Sequence, residues 1–249
     1  MSLKVNKDNI FFILPESRYA VSDRIDMWME EDFVLHVTAK VNPDTLKDTQ
    51  AWIIARNGMH SGINAFKDYH GRISIGFTYW FKQENGEPSV KQIFYTLEES
   101  ELNEFNEFTM ICDHHIDRKI NCFVNSKLIG SIYFDKDEKQ SYEWAFFWFG
   151  CGSMIGPEEH RGYGDFEYKL AFCLNKYLDI VEVQDIIDNY YDRYSHEVFN
   201  GLRKVNHDYP LRKHFAFLCD FSHHNRYKVW DASFSGNYPQ FYIEHNIYF

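Results

Sequence analysis

The sequence lacks the features that would direct a chain into a membrane or onto nucleic acid. It has no run of about 18 apolar residues, so no segment is expected to span a bilayer as a helix. The N-terminal residues, MSLKVNKD, lack the apolar stretch and small-residue cleavage site of a signal peptide. Lys and Arg number 26 against 37 Asp and Glu, giving a formal net charge of -11. That balance leaves no cationic footprint for nucleic acid or anionic lipid, so neither is an expected partner.

Cysteines are few and show no pairing pattern. There are 5, an odd number, and no two of them stand in a CxxC pattern. A disulfide framework is therefore not expected, and the thiols should be small buried hydrophobic groups in a reducing compartment. Together with the missing signal sequence, this pattern favours a cytoplasmic location.

Motifs for catalysis and cofactor binding are also missing. Gly152-Ser153-Met154 is not a nucleophile elbow, and Gly162-Tyr163-Gly164 lacks the third glycine and the basic residue of a phosphate loop. The adjacent pairs His114-His115 and His223-His224 have no Cys or His partner at a recognisable metal-ligand spacing. We therefore expect no catalytic residue, metal site or bound cofactor.

Aromatic residues are abundant, with 23 Phe, 17 Tyr and 6 Trp, and they lie in short runs typical of strands. Between Phe33 and Val41, apolar and polar residues alternate with the period of a β-strand. Glu84 to Pro88 and Asn125-Ser126 are typical hairpin turns. Because no pair of strands needs a helical crossover, we expect antiparallel sheets. The predicted strands are 33–41, 52–56, 72–82, 90–97, 107–113, 119–124, 127–134, 144–149, 165–173, 214–221 and 227–230.

One helix stands out near the C-terminal third of the chain. From Leu178 to Tyr194, apolar residues recur at spacings of three and four. The polar stretch from Ser195 to Pro210 suggests a linker or long loop. Beyond it, residues 205–249 are interpreted as terminal strands that complete one domain spanning residues 1–249. The alternative is that they begin a separate, truncated unit.

The order of these patterns resembles the concanavalin A-like lectin and glucanase group and, within it, the laminin G-like domains. Three stretches carry the resemblance, which covers about residues 17–194: an early strand at 32–43, a hairpin at 105–131, and a closing strand at 164–171 that leads into the helix. Phe105 and Ser126 depart from the residues usual in that group, Trp and Gly. The resemblance implies an all-β fold, an antiparallel two-sheet jelly-roll sandwich with one helix near residues 178–194.

The resemblance also implies candidate functions. Glycosidases of this group use paired carboxylates in a Glu-x-Asp-x-x-Glu strand, and the acidic clusters at 30–32 and 165–167 do not have that spacing. We therefore expect a non-catalytic, lectin-like carbohydrate-binding domain, associated with polysaccharide biosynthesis. A protein-interaction or scaffold domain and a glycan-active hydrolase or transferase accessory domain are the alternatives. Calcium occurs in laminin G-like domains, but no stretch matches such a site.

Candidate ligand-binding residues lie on aromatic runs and in loops. Sugar rings stack on aromatic faces, while their hydroxyl groups need polar side chains nearby. Asn64 belongs to the polar set expected between the strands 52–56 and 72–82, and Glu158 belongs to the long loop before Asp165. The predicted partner is a carbohydrate or a protein. The predicted site residues are Arg56, Asn57, His60, His70, Trp80, Glu159, His160, Arg161 and Tyr163.

Overall fold

A computed structural model describes most of the central part of the chain and separate segments towards its ends. The described residues are 3–5, 9–14, 31–46, 51–56, 61–83, 85–140, 147–150, 164–189, 194–199, 202–205, 208–225, 228–231, 238–243 and 246–247.

Two antiparallel sheets account for most of the described residues. Sheet I has the strand order β10-β9-β8-β3-β13-β16-β17, and β1 also pairs with β13. Its strands are β1 (Leu3–Val5), β3 (Phe33–Val41), β8 (Phe105–Asp113), β9 (Lys119–Val124), β10 (Lys127–Tyr133), β13 (Phe166–Leu174), β16 (Phe215–Asn225) and β17 (Lys228–Asp231).

Sheet II packs against the inner face of sheet I. Its order is β11-β6-β5-β4-β12-β2-β18-β19, with β7 paired along β6. Its strands are β2 (Asn9–Leu14), β4 (Ala51–Arg56), β5 (Ser61–Lys67), β6 (Ile73–Lys82), β7 (Pro88–Thr96), β11 (Lys139–Gln140), β12 (Phe147–Phe149), β18 (Tyr238–Ile243) and β19 (Asn246–Ile247). The predicted antiparallel two-sheet sandwich is confirmed.

The main core lies between the two sheets and is built from every second residue of their strands. Phe33, Leu35 and Val37 of β3 face Phe77 and neighbouring side chains of sheet II, all of them fully buried. This alternation is what the period-two pattern of the sequence predicts. Most aromatic residues of β6, β13 and β16 are therefore used for packing between the sheets, with Trp80, Phe172 and Phe215 on the opposite faces.

A buried tyrosine ties the two sheets together inside this core. Tyr168 of β13 donates its hydroxyl proton to the carbonyl oxygen of Ile53 in β4, at 2.6 Å. The same carbonyl accepts a second, longer hydrogen bond from the Gly150 amide, at 3.4 Å. Burial raises the pKa of Tyr168 far above its ordinary value, so the phenol remains a hydrogen-bond donor.

Helix α1 (Ile180–Asn189) packs on the outer face of sheet I and forms a second, smaller core. Its first turn is closed by a capping box, in which the Glu182 amide donates to Asp179 and the Asp179 amide donates to Glu182. Val183 and Ile186 are buried against apolar residues of β3, β8 and β13. His36 of β3 is buried in the same outer layer, and burial lowers its pKa to about 3.

The predicted helix near residues 178–194 is confirmed; its described bounds are Ile180–Asn189, and Tyr194 belongs to a strand. The expectation for residues 195–210 is wrong. The polar stretch that suggested a linker contains a small antiparallel hairpin of β14 (Tyr194–Phe199) and β15 (Leu202–Val205). The polar composition indicated a loop, but a two-stranded hairpin outside the sandwich needs no continuous apolar face and can therefore be polar.

The hairpin turn at Asn125-Ser126 is confirmed. Both residues have positive φ, 48° and 61°, as the twist of a two-residue connection between β9 and β10 requires.

Strands from the C-terminal region enter both sheets, since β16 pairs with β13 and β18 pairs with β2. No helix among the described residues is long and apolar enough to cross a membrane.

Candidate functional site

The outer face of sheet II carries alternating polar and aromatic side chains on three adjacent strands. Successive strand residues point to opposite sides, so the residues of β5, β6 and β7 that do not enter the core share this face. Register sets them in rows across the strands, one of which is Asn64, Gly76 and Phe94. We call this surface the β5–β7 face; it comprises Gly62, Asn64, Phe66, Ser74, Gly76, Thr78, Trp80, Val90, Gln92, Phe94 and Thr96.

The polar side chains of the β5–β7 face hold one another in place. Asn64 Nδ2 and Gln92 Nε2 both donate to Thr78 Oγ1, each at 3.0 Å. The hydroxyl oxygens of Ser74 and Thr96 are 3.2 Å apart. Asn64 and Thr78 are buried, whereas Gln92 is exposed. The buried Thr78 hydroxyl therefore orients the exposed Gln92 amide, whose carbonyl oxygen and second N–H face a ligand.

Aromatic side chains flank this polar network. The rings of Phe66 and Phe94 meet edge to face, with centroids 5.5 Å apart and an interplanar angle of 85°. Phe94 is 50% exposed. Trp80 is half-buried, and its backbone amide donates to Ser61 Oγ at 3.1 Å. An aromatic surface next to oriented amide and hydroxyl groups can stack a sugar ring and bind its hydroxyls.

The same face does not provide the chemistry of a glycosidase. None of the residues that compose the β5–β7 face, all of them described, is an aspartate or glutamate. Hydrolysis by the usual route needs two carboxyl groups on either side of the glycosidic bond. The described residues of this face do not supply such a carboxyl pair.

Of the residues predicted from the sequence, Trp80 lies on the β5–β7 face. His70 lies in the turn between β5 and β6, and Arg56 ends β4, where its backbone pairs with Ser61 and Phe147. The side chain of Arg56 lies outside the described part of the structure. So do the residues Asn57, His60, Glu158, Glu159, His160, Arg161 and Tyr163.

His70 is held at the tip of a tightly bonded turn. Asp68 Oδ1 accepts the backbone amides of His70 and Arg72 at 2.9 and 2.8 Å, and its second oxygen pairs with the Arg72 guanidinium. The turn presents Tyr69, which is 91% exposed, with its ring centroid 3.8 Å from that of His70. This pair lies at the end of β5 next to Phe66.

Arg56 and His70 lie at opposite ends of strand β5. Arg56 pairs with Ser61 at the start of β5, whereas the turn with His70 follows Lys67 at the other end of that strand. The residues that flank the long loop, Gly150 and Gly164, are joined by a backbone hydrogen bond and lie near β4. Arg56 and His70 therefore do not share one rim.

Sequence reasoning missed the polar centre of the face. Asn64, expected in a loop between strands, lies in the middle of β5, and Gln92 and Phe94 attracted no functional interpretation. The usable signal was the alternation in Ser61–Lys67, where Ile63 and Ala65 point inward. Gly62 and the polar residues of that segment weaken its strand propensity, which explains why it was overlooked.

The other polar clusters in the described residues are weaker candidates for a binding site than the β5–β7 face. No three His, Cys, Asp or Glu side chains in the described part could together hold a metal ion. An open groove of about 560 Å³ lies between α1 and sheet I, with Thr38 and Leu170 among its lining residues. Burial raises the pKa of Glu107 in this groove, and the carboxylate of Asp188 acts in the same direction.

Comparison with known proteins finds relatives in structure but not in sequence. No protein-family model matches the chain, and no curated protein matches it. A candidate carbohydrate-binding protein of Bacteroides ovatus superposes with a TM-score of 0.58 over 96% of this chain, at 10% identity. The binding domain of botulinum neurotoxin serotype D/C superposes with a TM-score of 0.51 over 82% of the chain, at 13% identity.

The chain folds as an antiparallel two-sheet jelly roll. In the described residues, this jelly roll carries its helix on sheet I and leaves the β5–β7 face on the outer side of sheet II. The chain spans 58% of the Bacteroides protein and 47% of the neurotoxin chain. At such low identity the likeness concerns the fold, so the jelly roll by itself does not specify a ligand.

Proposed function

We propose that this chain is a non-catalytic carbohydrate-binding domain that binds its ligand on the β5–β7 face. The observation that carries the proposal is the hydrogen-bonded network of Asn64, Thr78 and Gln92 beside the exposed ring of Phe94. Sugars combine apolar ring faces with hydroxyl groups, and this face offers complements to both. The fold shared with a candidate carbohydrate-binding protein of Bacteroides ovatus supports the proposal by analogy.

On this face Phe94 and Gln92 are exposed, whereas Asn64 and Thr78 lie buried beneath them. Gln92 can donate one hydrogen bond and accept others, while Phe94 and Trp80 provide surfaces for stacking. Because Thr78 already orients the Gln92 amide, little entropy is lost when a ligand binds to it. The arrangement fits neutral saccharides, since Lys82 at the end of β6 is the sole charged side chain that β6 directs to this side in the described structure.

The cellular setting belongs to the proposal as well. Four described cysteines, Cys112, Cys122, Cys173 and Cys219, are buried in the core. Burial raises the pKa of the Cys122 thiol well above its ordinary value, which keeps it protonated and unreactive. Five cysteines without a pairing pattern in the sequence suit a reducing compartment, and a carbohydrate-binding domain there would act alongside cytoplasmic polysaccharide synthesis.

Glycan-array screening followed by calorimetric titration tests the proposed function. We expect Phe94→Ala and Gln92→Ala each to weaken binding of the saccharide found on the array by about tenfold. Tyr133→Ala is the matched control, because Tyr133 is 65% exposed but lies on β10 of sheet I. An array without any binding saccharide, or an equal loss in the Tyr133 variant, would contradict the proposal.

A protein partner is the second candidate, and the apolar character of strand β7 favours it. Val90 and Phe94 are 44% and 50% exposed on the same side of this strand. Exposed apolar patches on an edge of a sheet can serve as interfaces. Sedimentation measurements with the wild type and Val90→Asp would show a shift from dimer to monomer if a second copy covers this surface. A monomer in both proteins counts against self-association.

A further inference from the structure

The β5–β7 face continues into an ion pair at the turn between β5 and β6. Asp68 follows Phe66 by two residues, and Arg72 precedes Ser74 by two residues on the other arm of the turn. The Asp68 amide donates to the Arg72 carbonyl oxygen at 2.8 Å, so the ladder between the two strands reaches this pair. Because side chains two residues apart in a strand point to the same side, the ion pair adds a further row to the face.

The Arg72 guanidinium is oriented by the turn. Asp68 Oδ2 accepts hydrogen bonds from Arg72 Nε and Arg72 Nη2, each at 2.9 Å. Asp68 Oδ1 accepts the Arg72 amide at 2.8 Å, and Gly71, with a φ of 79°, donates its amide to the Asp68 carbonyl oxygen at 2.9 Å. The backbone and the side chain of Arg72 are therefore held by the same aspartate, so a ligand that contacts this arginine loses little entropy in ordering it.

Arg72 retains donors that the turn does not use. A guanidinium has five N–H groups, and the Asp68 carboxylate accepts two of them, which leaves three. The side chain of Arg72 is 59% exposed, whereas that of Asp68 is 12% exposed. The carboxylate therefore lies beneath the guanidinium, and the remaining N–H groups are accessible to a ligand on the face.

The charge of this pair indicates the class of ligand. Asp68 balances the charge of Arg72, so the pair does not offer a net positive charge to a carboxylate or a phosphate. Hydroxyl oxygens accept hydrogen bonds from a guanidinium without a charge of their own, and the planar fork suits two neighbouring acceptors. Two adjacent hydroxyl groups on a neutral sugar ring provide such a pair.

The spacing between Phe94 and Arg72 exceeds the size of one sugar ring. Phe94 pairs with Gly76, and Arg72 lies four residues before Gly76, which corresponds to about 13 Å along the strand. The row between them carries Phe66, whose half-buried ring contacts that of Phe94. A sugar stacked on Phe94 therefore needs a linked neighbour to reach the guanidinium.

We infer that Arg72 forms a second subsite, which binds two adjacent hydroxyl groups of a neutral sugar unit linked to the one stacked on Phe94. The inference rests on the proposed carbohydrate binding and adds two properties of the ligand: it is an oligosaccharide, and it runs along β5 and β6 towards the turn. His70, which was predicted from the sequence to bind ligand, lies with the exposed Tyr69 at the tip of that turn.

Oligosaccharides of increasing length test the subsite. The probes are cello-, manno- and galacto-oligosaccharides of one to four units, each titrated into the wild-type protein and followed by NMR. We expect affinity within a bound series to rise about tenfold from the single sugar to the longer members, the ratio that one hydrogen bond to a charged group provides. The Nε–H signal of Arg72 should shift with the longer members but not with the single sugar.

Two substitutions separate the subsite from the rest of the face. Arg72→Lys retains a cation beside Asp68 but removes the planar fork, so it should abolish the gain in affinity with length and leave binding of the single sugar unchanged. Lys82→Gln is the matched control, because Lys82 is an exposed cation on the same side at the opposite end of β6. The control should keep the gain, and retention of the gain in Arg72→Lys would overturn the inference.

The failures of the two proposals differ in their outcome. Equal affinities for the single sugar and the longer members, with shifts at Gln92 and none at Arg72, would overturn the second subsite and leave carbohydrate binding standing. Tighter binding of galacturonate oligomers than of galactose oligomers would overturn the neutral class of ligand. No response to any of the three series would overturn the second subsite and, together with a glycan array that shows no binding, the proposed function as well.

Discussion

Replacement of Gly76 by alanine tests how tightly Asn64 is packed. The new Cβ would lie 2.6 Å from Asn64 Oδ1, so the amide must move and its 3.0 Å hydrogen bond to Thr78 is strained. Overpacking of this kind costs about 1–3 kcal/mol. Replacing glycine also lowers the conformational entropy of the unfolded chain, which stabilises the folded protein by about 0.4–1 kcal/mol. The net expectation is a destabilisation of about 1–2 kcal/mol.

Urea unfolding followed by tryptophan fluorescence measures this change, and a thermal scan should show Tm lower by about 2–8 °C for a chain of this size. Gly130→Ala is the matched control: its added Cβ would meet the Cδ1 end of the Ile93 side chain at 3.1 Å, and that flexible group can move aside. We expect the control to lie within about 0.5 kcal/mol of the wild type.

A double-mutant cycle with Asn64→Ala identifies the cause. In the Asn64→Ala background the added methyl group at position 76 no longer clashes with an amide. The destabilisation caused by Gly76→Ala should therefore be smaller by about 1–2 kcal/mol. The same penalty in both backgrounds, or a Gly76→Ala protein as stable as the wild type, would refute the packing described for Asn64.

Two further predictions concern stability elsewhere in the sandwich. Tyr168→Phe removes the 2.6 Å hydrogen bond between the sheets, while the Ile53 carbonyl keeps its 3.4 Å hydrogen bond from the Gly150 amide. Equilibrium unfolding should therefore show a free energy of unfolding lower by about 1–2 kcal/mol. Tyr133→Phe, at an exposed tyrosine, should leave this free energy unchanged. Burial raises the folded-state pKa of Glu107, so the folded protein binds this proton more tightly than the unfolded chain and stability falls as pH rises through the interval between the two pKa values. Glu107→Gln should therefore be more stable than the wild type at pH 7, and the difference measured by urea unfolding should close as the pH falls to about 4; a difference that does not depend on pH would contradict this.

The alternation of apolar residues was sufficient to predict the sandwich. Strands such as Phe33–Val41 and Lys119–Val124 have the bounds that the sequence pattern indicated. Period-two alternation is a local property, and each of these strands buries one apolar face against a partner sheet. The hairpin between β9 and β10 was equally visible, because Asn125 tolerates the positive φ that its turn needs.

The polar face of β5 was not predictable in the same way. Asn64 is buried although it is polar, because neighbours distant in sequence, Thr78 and Gly76, provide its hydrogen bond and its space. The hairpin of β14 and β15 was missed for the opposite reason, since it contributes to neither sheet of the sandwich. Of the predicted binding residues, Trp80 and His70 have described side chains, and the involvement of all nine in binding stays a prediction.

The position of β2 has a consequence for how the chain folds. This strand lies between β12 and β18, so both of its neighbours come from much later in the sequence. Its backbone groups cannot be paired by anything close to it along the chain, and closing such long loops is entropically slow. During synthesis, β2 therefore stays unpaired until β12 and β18 have been made. We expect the part of sheet II around β2, β12 and β18 to form late, and the aromatic segment Asn9–Leu14 to be the part that most needs protection from aggregation until then.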